Sequence, residues 1–363
     1  MPKIIILSYD YPPNDGGISR LCFEIKKQLE LNNHSVQVVC LQAKGTDLEN
    51  DRNVVRLPSK RIQVEWEMLK YLRRHTSKDD IVLADTYHPS GLLAYLAGRK
   101  FYVLAHGAEL LSGNSFFRKV LWNYYRKWIL AKADFVIANS HYTEGLVRHC
   151  SPGAKVVAIP LAVDENYFHP VAKKKNNGML NLCSLSRLHK FKGHDFILKT
   201  VAALPEHYRK MIRLKIGGKG PYKLELEKLA NELGLTDQVT FVGFVAEGEL
   251  CTFYSESDIF ILCTREEPEN RNVEGFGLVF TEAQACGTAV IGTRAGGIPD
   301  AVDEGDGGWL IKPDSMNELC TLLMELIDTP GLAANEGKKA RRRIEEEGTW
   351  NMYYKKLARV ISL

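Results

Sequence analysis

The sequence of 363 residues lacks the features that mark secreted, membrane-spanning and zinc-binding proteins. No segment is long and apolar enough to cross a membrane, and the N-terminal MPKIIILSYD is apolar for only a few residues before Asp10. That run is too short for the apolar core of a signal peptide. The eight cysteines are scattered, and no two form a Cys-x-x-Cys pair. We therefore expect a cytoplasmic protein whose reduced thiols serve as packing residues.

Motifs of two other classes are missing as well. No strand is followed by Gly-x-Gly-x-x-Gly, and the second predicted strand ends in VVCLQAK without an acidic residue to bind a ribose, which disfavours an NAD enzyme. The net charge of +4 is too small to make nucleic acid the expected partner. The positive excess lies within residues 1–170, where an anionic membrane surface, an acidic partner or ordinary surface variation would each account for it.

The sequence does contain a regular alternation of short apolar runs and longer segments of helical period. The strand candidates are KIIIL, SVQVVCL, DIVLA, FYVLA and DFVIA, followed later by LNLCSL, RLKIGG, VTFVG, DIFIL and TAVIGT. Continuous apolar strands between helices predict parallel sheets that are covered on both faces. The polar segment His169–Met179 separates the two sets as a predicted linker. The fold class is thus α/β, with two Rossmann-like doubly wound domains (1–170 and 178–345) that face each other across a cleft.

The loops that follow strands are the candidate sites, because doubly wound sheets bind ligands at the carboxyl ends of their strands. After the first strand, Gly16 and Gly17 permit close approach of a ligand where a helix begins, and a helix N-terminus favours an anion. In LAHGAEL, His106 lies at a strand end, where it either faces the cleft or packs locally.

The second predicted domain has similar loops. Arg187 and Lys192 flank a turn before a predicted helix, and two cations at a helix N-terminus form a candidate clamp for a diphosphate. Single basic residues are otherwise usually solvated. Gly218 lies in IGGKGPY, where it either lets the backbone approach a ligand or only forms the turn. The backbone of Phe244 and Val245 is placed to meet the edge of a base.

The stretch EGFGLVFTEAQACG carries two glutamates around an apolar run. Two glycines lead into a predicted helix, so that Glu274 lies in the loop before it and Glu282 lies within it. Carboxylates accept hydrogen bonds from paired hydroxyls, such as those of a sugar or a ribose. The N–H groups of Phe276, Gly277 and Leu278 are suited to a phosphate or further hydroxyls.

These motifs resemble the retaining GT-B glycosyltransferases of family 4 (group 1). The E-x7-E segment with EAQACGTAVIGTRAGGIPDAV is the most specific part, and the early Gly-Gly loop, HGAE, ANS, R-L-x3-K-G and FVGFV follow in the family's order. The resemblance spans essentially the whole chain. NVEGFGLVFTEAQACG looks most like bacterial mannosyl- and glucosyltransferases that build phosphoinositol mannosides or surface polysaccharides. The resemblance implies a GT-B fold whose last helix, within residues 346–363, returns to the N-terminal domain.

The resemblance also implies a role for each matching residue. Glu274 would hold hydroxyls of the transferred sugar, and Glu282 would hold the ribose. Arg187 and Lys192 would neutralise the leaving diphosphate, and His106 would contact the sugar and support its developing positive charge. The other implied donor-binding residues are Gly16, Gly17, Gly218, Val245, Phe276, Gly277 and Leu278, and the candidate acceptor residues are Tyr11, Arg20 and His88.

The implied reaction is transfer of glucose or mannose, with retention, from a nucleotide sugar such as UDP-glucose or GDP-mannose to a hydroxyl of a lipid-linked or polysaccharide-precursor acceptor. No cofactor or metal is expected, because the sequence has no Asp-x-Asp and the family stabilises the leaving group with cations and helix dipoles. Such families read the base largely through backbone groups, so uracil, guanine and adenine all stay open. The alternatives are a nucleotide-sugar 2-epimerase on the same scaffold and a catalytically silent nucleotide-sugar-binding protein.

The segment FFRKVLWNYYRKWILAKADF predicts an amphipathic helix. We expect its core face to carry Phe117, Leu121, Tyr124, Trp128 and Ala131. A different, outer face would carry Arg118, Trp122, Arg126 and Ile129. That face either contacts an anionic membrane, such as the inner face of the cell membrane, or is an ordinary partly buried surface.

Overall fold

The computed structural model describes residues 2–14, 16–42, 51–58, 61–111, 116–172 and 178–363, with the backbone alone at 61–62 and 116–120. The described chain divides into two compact units. Unit 1 comprises Met1–Leu161, Glu269–Arg271 and Trp350–Leu363, and unit 2 comprises Ala162–Pro268 and Asn272–Thr349. Residues 173–177 of the predicted linker lie outside the described residues.

Unit 1 is built on a seven-stranded parallel sheet. Its strands are β1 (Ile4–Ser8), β2 (Val36–Leu41), β3 (Val54–Leu57), β4 (Ile81–Ala84), β5 (Lys100–Ala105), β6 (Phe135–Ala138) and β7 (Val156–Ala158). The connecting helices are α1 (Gly17–Leu31), α2 (Arg61–His75), α3 (Leu92–Leu96), α4 (Phe116–Lys132) and α5 (His141–Cys150). The strand order is β3-β2-β1-β4-β5-β6-β7. The interior strand β1 is buried along its whole length, as expected of a parallel strand with helices on both faces.

Unit 2 repeats this plan with a six-stranded parallel sheet. Its strands are β8 (Leu180–Leu185), β9 (Ile212–Gly217), β10 (Val239–Gly243), β11 (Ile259–Ile261), β12 (Ala289–Thr293) and β13 (Gly308–Ile311). Its helices are α6 (His194–Ala203), α7 (Glu206–Lys210), α8 (Lys223–Glu232), α9 (Leu250–Ser255), α10 (Leu278–Ala285), α11 (Ile298–Ala301), α12 (Met316–Asp328) and α13 (Leu332–Glu347). The strand order β10-β9-β8-β11-β12-β13 is that of the dinucleotide-binding fold. The order reverses between β8 and β11 here, and between β1 and β4 in unit 1.

The ten strands predicted from the sequence are confirmed. The apolar pattern misses β3, β7 and β13, each of which is a strand of three or four residues at a sheet edge. An edge strand needs less apolar surface than a central one, because it has a neighbour on one side only.

The last helix, α14 (Trp350–Ile361), belongs to unit 1 and packs on α1. One face of this helix is buried, at Trp350, Tyr353, Leu357 and Ile361. The hydroxyl group of Tyr354 lies 2.7 Å from His34 Nε2, at the turn that follows α1. None of the helices in the described ranges is both long and apolar enough to span a bilayer.

Helix α4 turns a different face to the core from the one that its sequence pattern predicts. Leu121 and Tyr124, which we predicted in the core, are 75% and 76% exposed, and Ala131 is exposed too. Arg126 and Ile129, which we predicted on the outer face, are buried. The prediction of the two faces was therefore wrong at these five positions.

The physical reason is a buried arginine. The guanidinium of Arg126 donates hydrogen bonds to the carbonyl oxygen of Leu110 and to the side chain of Asn123, so its charge is solvated by the protein. A rule that treats every arginine as a surface residue assigns this helix the wrong way round. The side chains of Phe117 and Arg118 lie outside the described residues.

Candidate active site

The main polar site of unit 2 lies at the ends of β8 and β11, where the strand order reverses. The chain leaves β8 and forms a 3-10 turn, Lys190–Lys192, before α6. Lys192 Nζ lies 2.6 Å from Glu274 Oε2, and Glu274 belongs to the loop between β11 and α10. These side chains are only 12% and 17% exposed, so salt screens their attraction less than that of a surface ion pair. The fold thus brings the predicted diphosphate cation and the predicted sugar carboxylate together.

Two glycines allow the loops of this site to pack closely. A Cβ atom added at Gly193, where φ is +77°, would lie 1.9 Å from the carbonyl oxygen of Cys263. At Gly218, where φ is +121°, it would lie 1.9 Å from the carbonyl oxygen of Ser186. A side chain at either position would force the loops apart. Of the two roles that the sequence left open for Gly218, close packing after β9 is the one with direct structural evidence.

The main chain around Glu274 leaves N–H groups for a ligand. The carbonyl oxygen of Glu274 accepts a hydrogen bond from the N–H of Gly297 at 2.8 Å, which pins the loop. Within the described residues, no hydrogen bond takes up the N–H of Phe276, Gly277 or Leu278. The ring of Phe276 is buried, so its main chain is the part left for binding.

Glu282 lies in the middle of α10 and is buried. Its Oε2 atom accepts a hydrogen bond from the hydroxyl group of Tyr254 at 2.9 Å, and Tyr254 is completely buried. Burial, and after it the charge of Glu282, raise the pKa of Tyr254 well above its usual value, so the hydroxyl group keeps its proton and donates. A buried carboxylate needs such a donor, and the donor also fixes its orientation.

Two further predicted donor residues lie in the surface layer of unit 2. Arg187 is exposed, and its guanidinium makes no ion pair with any residue that the structure describes. Val245 is half-buried and follows Phe244, whose ring is 65% exposed. Lys219 Nζ lies 4.8 Å from the centre of that ring. An exposed ring beside a cation offers a flat surface to a heterocyclic base.

In unit 1 the polar loops after β1, β4 and β5 meet at Asp85. Its carboxylate accepts hydrogen bonds from Ser8 Oγ at 3.0 Å, from the N–H of Tyr9 at 2.7 Å and from Ser90 Oγ at 2.5 Å. Burial raises the pKa of Asp85, and these hydrogen bonds oppose the rise. The carbonyl oxygen of the same residue lies 2.6 Å from His106 Nε2.

The imidazole of His106 is fixed by these neighbours. A carbonyl oxygen only accepts, so Nε2 must carry the proton in the hydrogen bond to Asp85, and Nδ1 is the acceptor in the neutral ring. The N–H of His106 donates to Glu109 Oε1 at 2.7 Å, and its carbonyl oxygen accepts from Asn139 Nδ2 at 3.2 Å. The residue is therefore held at both its ring and its main chain.

The remaining predicted residues of unit 1 have varied surroundings. Gly16 and Gly17 are exposed where α1 begins, and a Cβ atom added at Gly17 would meet nothing within 4 Å. Tyr11 is buried, whereas His88 is exposed and its Nδ1 lies 2.9 Å from the hydroxyl group of Tyr125. Arg20 is half-buried on α1. The ring of Tyr11 thus packs inside unit 1. A side chain would fit at position 17, so packing alone does not explain the glycine there.

Two family models match consecutive parts of the chain. Residues 15–167 match the model described as Glycosyltransferase Family 4, and residues 167–343 match the model described as Glycosyl transferases group 1. A relative from Mycobacterium tuberculosis is 30% identical over 383 residues, which cover 99% of this chain and 97% of that protein. The chain belongs to the group 1, family 4 glycosyltransferases.

The relative from Mycobacterium tuberculosis is named GDP-mannose-dependent α-(1-6)-phosphatidylinositol monomannoside mannosyltransferase. A protein of the same name from Mycolicibacterium smegmatis is 27% identical to this glycosyltransferase over 384 residues, covering 99% of this chain and 98% of that one.

Solved structures place the glycosyltransferase in the GT-B fold. Sucrose-phosphate synthase from Thermosynechococcus elongatus matches with a TM-score of 0.81 and 20% identity over 100% of this chain and 98% of that one. Anabaena HepE in complex with UDP and glucose matches with a TM-score of 0.78 and 19% identity over the whole of both chains. At these identities the likeness concerns the fold alone, and it confirms the predicted fold class.

Several polar residues of the glycosyltransferase escaped the sequence reasoning. Tyr254 and Asp85 adjoin apolar residues in the sequence, where the pattern predicts packing, and only their carboxylate and hydroxyl partners reveal a polar function. Arg265 follows β11 in a loop whose position at the strand end was the available signal. No group of three or more His, Cys, Asp or Glu side chains within the described ranges could hold a metal ion, and the metal-independent reaction stays a prediction.

Proposed function

We propose that this chain is a retaining hexosyltransferase that moves mannose from GDP-mannose to a hydroxyl group of a lipid-linked or polysaccharide-precursor acceptor, without a metal. The observation that carries the proposal is the largely shielded Lys192–Glu274 ion pair at the topological switch point of unit 2. The family motifs occupy that site, and relatives that match almost the whole chain are GDP-mannose-dependent mannosyltransferases. Glucose from UDP-glucose is the second choice of donor.

The ion pair suits a site that must accept both a diphosphate and a sugar. In the structure each of Lys192 and Glu274 neutralises the other. A diphosphate would compete for Lys192, and Glu274 would then be free to accept hydrogen bonds from sugar hydroxyls. The exposed guanidinium of Arg187 would supply a second cation for the leaving group. Breaking the single Lys192–Glu274 ion pair would therefore allow the site to hold both the diphosphate and the sugar of the donor.

Two further elements complete the proposed donor site. Glu282, oriented by Tyr254, would accept hydrogen bonds from the ribose hydroxyls. The N–H groups of Phe276, Gly277 and Leu278 would donate to phosphate or sugar oxygens.

His106 would act on the sugar side of the reaction. Within the part of the chain that the structure describes, its carbonyl oxygen has one partner, Asn139. A carbonyl oxygen has two lone pairs, so this one retains capacity to stabilise positive charge on the sugar ring. The chemistry would be a same-face displacement, in which the donor phosphate takes the acceptor proton as the glycosidic bond to the diphosphate breaks. Neither Glu274 nor Glu282 is assigned as a nucleophile, because both are engaged as hydrogen-bond acceptors in this account.

A thermal-shift series with GDP-mannose, UDP-glucose and ADP-glucose tests the donor. A ligand at about 100 times its Kd stabilises the folded protein by about 2.7 kcal/mol, which raises Tm by several degrees. We expect GDP-mannose to give the largest rise. A rise with UDP-glucose or ADP-glucose alone would replace the proposed donor, and the absence of a rise with any of them would contradict a nucleotide-sugar enzyme.

We also propose that α4 carries a membrane contact, on a different face from the one predicted from the sequence. Leu121 and Tyr124 are exposed and adjacent on the helix, and Lys127 is exposed one turn further along the same side. Two large apolar side chains beside a cation suit the headgroup region of an anionic bilayer. A lipid in the name of the relatives' substrate supports the same idea.

Sedimentation with phosphatidylglycerol vesicles tests this contact. Replacing Leu121 and Tyr124 by Asp should abolish the binding, because two carboxylates would enter the anionic surface. Leu224→Asp is the matched control, since Leu224 is 77% exposed but lies in unit 2. Binding that the double variant retains, or that the control loses equally, would contradict the contact. Arg126→Ala is not a suitable test of this contact, because Arg126 is buried.

A further inference from the structure

Arg265 holds the turn that carries Lys192 from two directions. Its backbone N–H donates to the carbonyl oxygen of Phe191 at 2.7 Å. Its side-chain Nη1 donates to the carbonyl oxygen of Lys190 at 3.2 Å. Both acceptors belong to the 3-10 turn Lys190–Lys192, so main chain and side chain of one residue fix the two positions that precede Lys192.

The same guanidinium also binds the residues that follow Lys192. Nη1 and Nη2 of Arg265 contact Oδ1 and Oδ2 of Asp195 at 2.8 and 3.2 Å, which is a two-pronged ion pair. Asp195 is buried in the first turn of α6. Nε donates to Asp314 Oδ1 at 2.7 Å, so the guanidinium is anchored on its other edge. A planar fork held at both edges has little freedom to rotate.

Lys192 therefore lies between two segments that are tied to one arginine. The residue between Lys192 and α6 is Gly193, which packs directly on the carbonyl oxygen of Cys263, two residues before Arg265. A side chain at position 193 would therefore push the turn away from the end of β11. Lys192 Nζ in turn reaches Glu274.

We propose that Arg265 is a positioning residue, which fixes the turn that carries Lys192 and thereby sets the affinity of the site for the donor diphosphate. This inference rests on the proposed function, because it requires Lys192 to bind the diphosphate. Arg265 itself does not touch the donor in this account. Its influence is carried by Lys192 alone, and this is what separates it from a residue that merely stabilises the fold.

A double-mutant cycle measured by calorimetry with GDP tests the proposal. The variants are Arg265→Gln, Lys192→Ala and the two together. We expect Arg265→Gln to weaken GDP binding by about tenfold when Lys192 is present, and by less than about twofold in the Lys192→Ala background. Denaturant unfolding of the same proteins should show an equal loss of stability from Arg265→Gln in both backgrounds, because that loss does not depend on Lys192.

The matched control is Arg294→Gln. Arg294 is in the same unit, and its Nη2 contacts both carboxylate oxygens of Glu304, at 2.6 and 2.8 Å. Within the described residues, its side chain makes no hydrogen bond or ion pair with the turn Lys190–Lys192. Its replacement should leave GDP affinity unchanged. Where Arg265→Gln does not fold, Arg265→Lys is used instead; it keeps the charge, loses the fork and should show the same dependence on Lys192.

The outcomes separate the inference from the function on which it rests. Equal weakening of GDP binding by Arg265→Gln in both backgrounds would overturn the positioning role while leaving the donor site intact. Undiminished GDP affinity of Lys192→Ala would overturn the assignment of Lys192, and the positioning role with it. A wild-type protein that does not bind GDP would overturn the proposed donor first, and no role in GDP binding would then remain for Arg265.

Discussion

Tyr254→Phe removes one hydroxyl group from the buried pair that orients Glu282. The two side chains are joined by a hydrogen bond of 2.9 Å, and neither has much contact with solvent. Phenylalanine keeps the ring of Tyr254, so packing against its neighbours is preserved. The variant therefore isolates the loss of a hydrogen bond to a buried carboxylate.

The expected loss of stability follows from that single contact. A hydrogen bond to a charged group contributes about 1.5–3 kcal/mol to the free energy of unfolding. The same contact orients Glu282 towards the ribose in our account, so we also expect GDP-mannose to bind about tenfold more weakly. Tyr353→Phe is the control, because Tyr353 is buried yet its hydroxyl group makes no hydrogen bond within the described residues. Tyr353→Phe should lower the free energy of unfolding by less than about 0.5 kcal/mol.

The pH dependence of the same variant has a defined sign. The pKa of Tyr254 is raised in the folded protein, first by burial and then by Glu282, above an unfolded value near 10. Stability due to the protonated hydroxyl group is fully present below pH 10, and wild-type protein loses it as pH rises further. Tyr254→Phe has no such group, so its deficit should shrink above pH 10, by up to about 1.4 kcal/mol per pH unit.

Urea unfolding between pH 7 and pH 11, with calorimetry of GDP-mannose binding at pH 7, provides the assay. A Tyr254→Phe variant whose unfolding free energy at pH 7 equals that of wild type would refute the energetic reasoning. Lower stability with unchanged donor affinity would instead show that the Tyr254–Glu282 pair stabilises the fold without contributing to ribose binding.

Other substitutions test the glycine turn and the second glutamate. Gly193→Ala should lower the free energy of unfolding by at least about 3 kcal/mol, because backbone strain adds to a clash with Cys263. Gly234 has a similar φ of +65° but open space around it, so Gly234→Ala should lower the free energy of unfolding by about 1 kcal/mol. Equal costs, measured by urea unfolding, would contradict the clash. Glu282→Ala should weaken GDP-mannose binding by more than about a hundredfold, and wild-type affinity in calorimetry would remove Glu282 from the donor site.

The architecture could be predicted from the sequence because buried parallel strands are apolar along their whole length. KIIIL and DIVLA have no other reasonable interpretation, and ten such runs define two sheets. Their order along the chain also predicts that the loops after strands carry the chemistry. Short edge strands such as Val156–Ala158 give a weaker signal, because they bury less surface and three residues contain little pattern.

The members of the candidate site could be proposed from the sequence, but the contacts between them could not. The pairing of Lys192 with Glu274 joins residues 82 positions apart, and no local pattern encodes it. The faces of α4 were wrongly predicted for a related reason: the buried guanidinium of Arg126 donates to the carbonyl oxygen of Leu110, which lies outside the helix. Sequence periodicity reports which residues share a helix face, while tertiary partners decide which face the core accepts.

Transfer of labelled mannose tests the central claim most directly. GDP-[¹⁴C]mannose is incubated with a bacterial lipid extract and wild-type protein, Glu274→Gln or Glu304→Gln, the last of which changes an exposed carboxylate paired with Arg294. We expect label in the lipid or glycan fraction with wild type and Glu304→Gln, and transfer reduced about a hundredfold with Glu274→Gln. Label that stays in the nucleotide sugar or appears in its epimer, or equal transfer by Glu274→Gln, would contradict it.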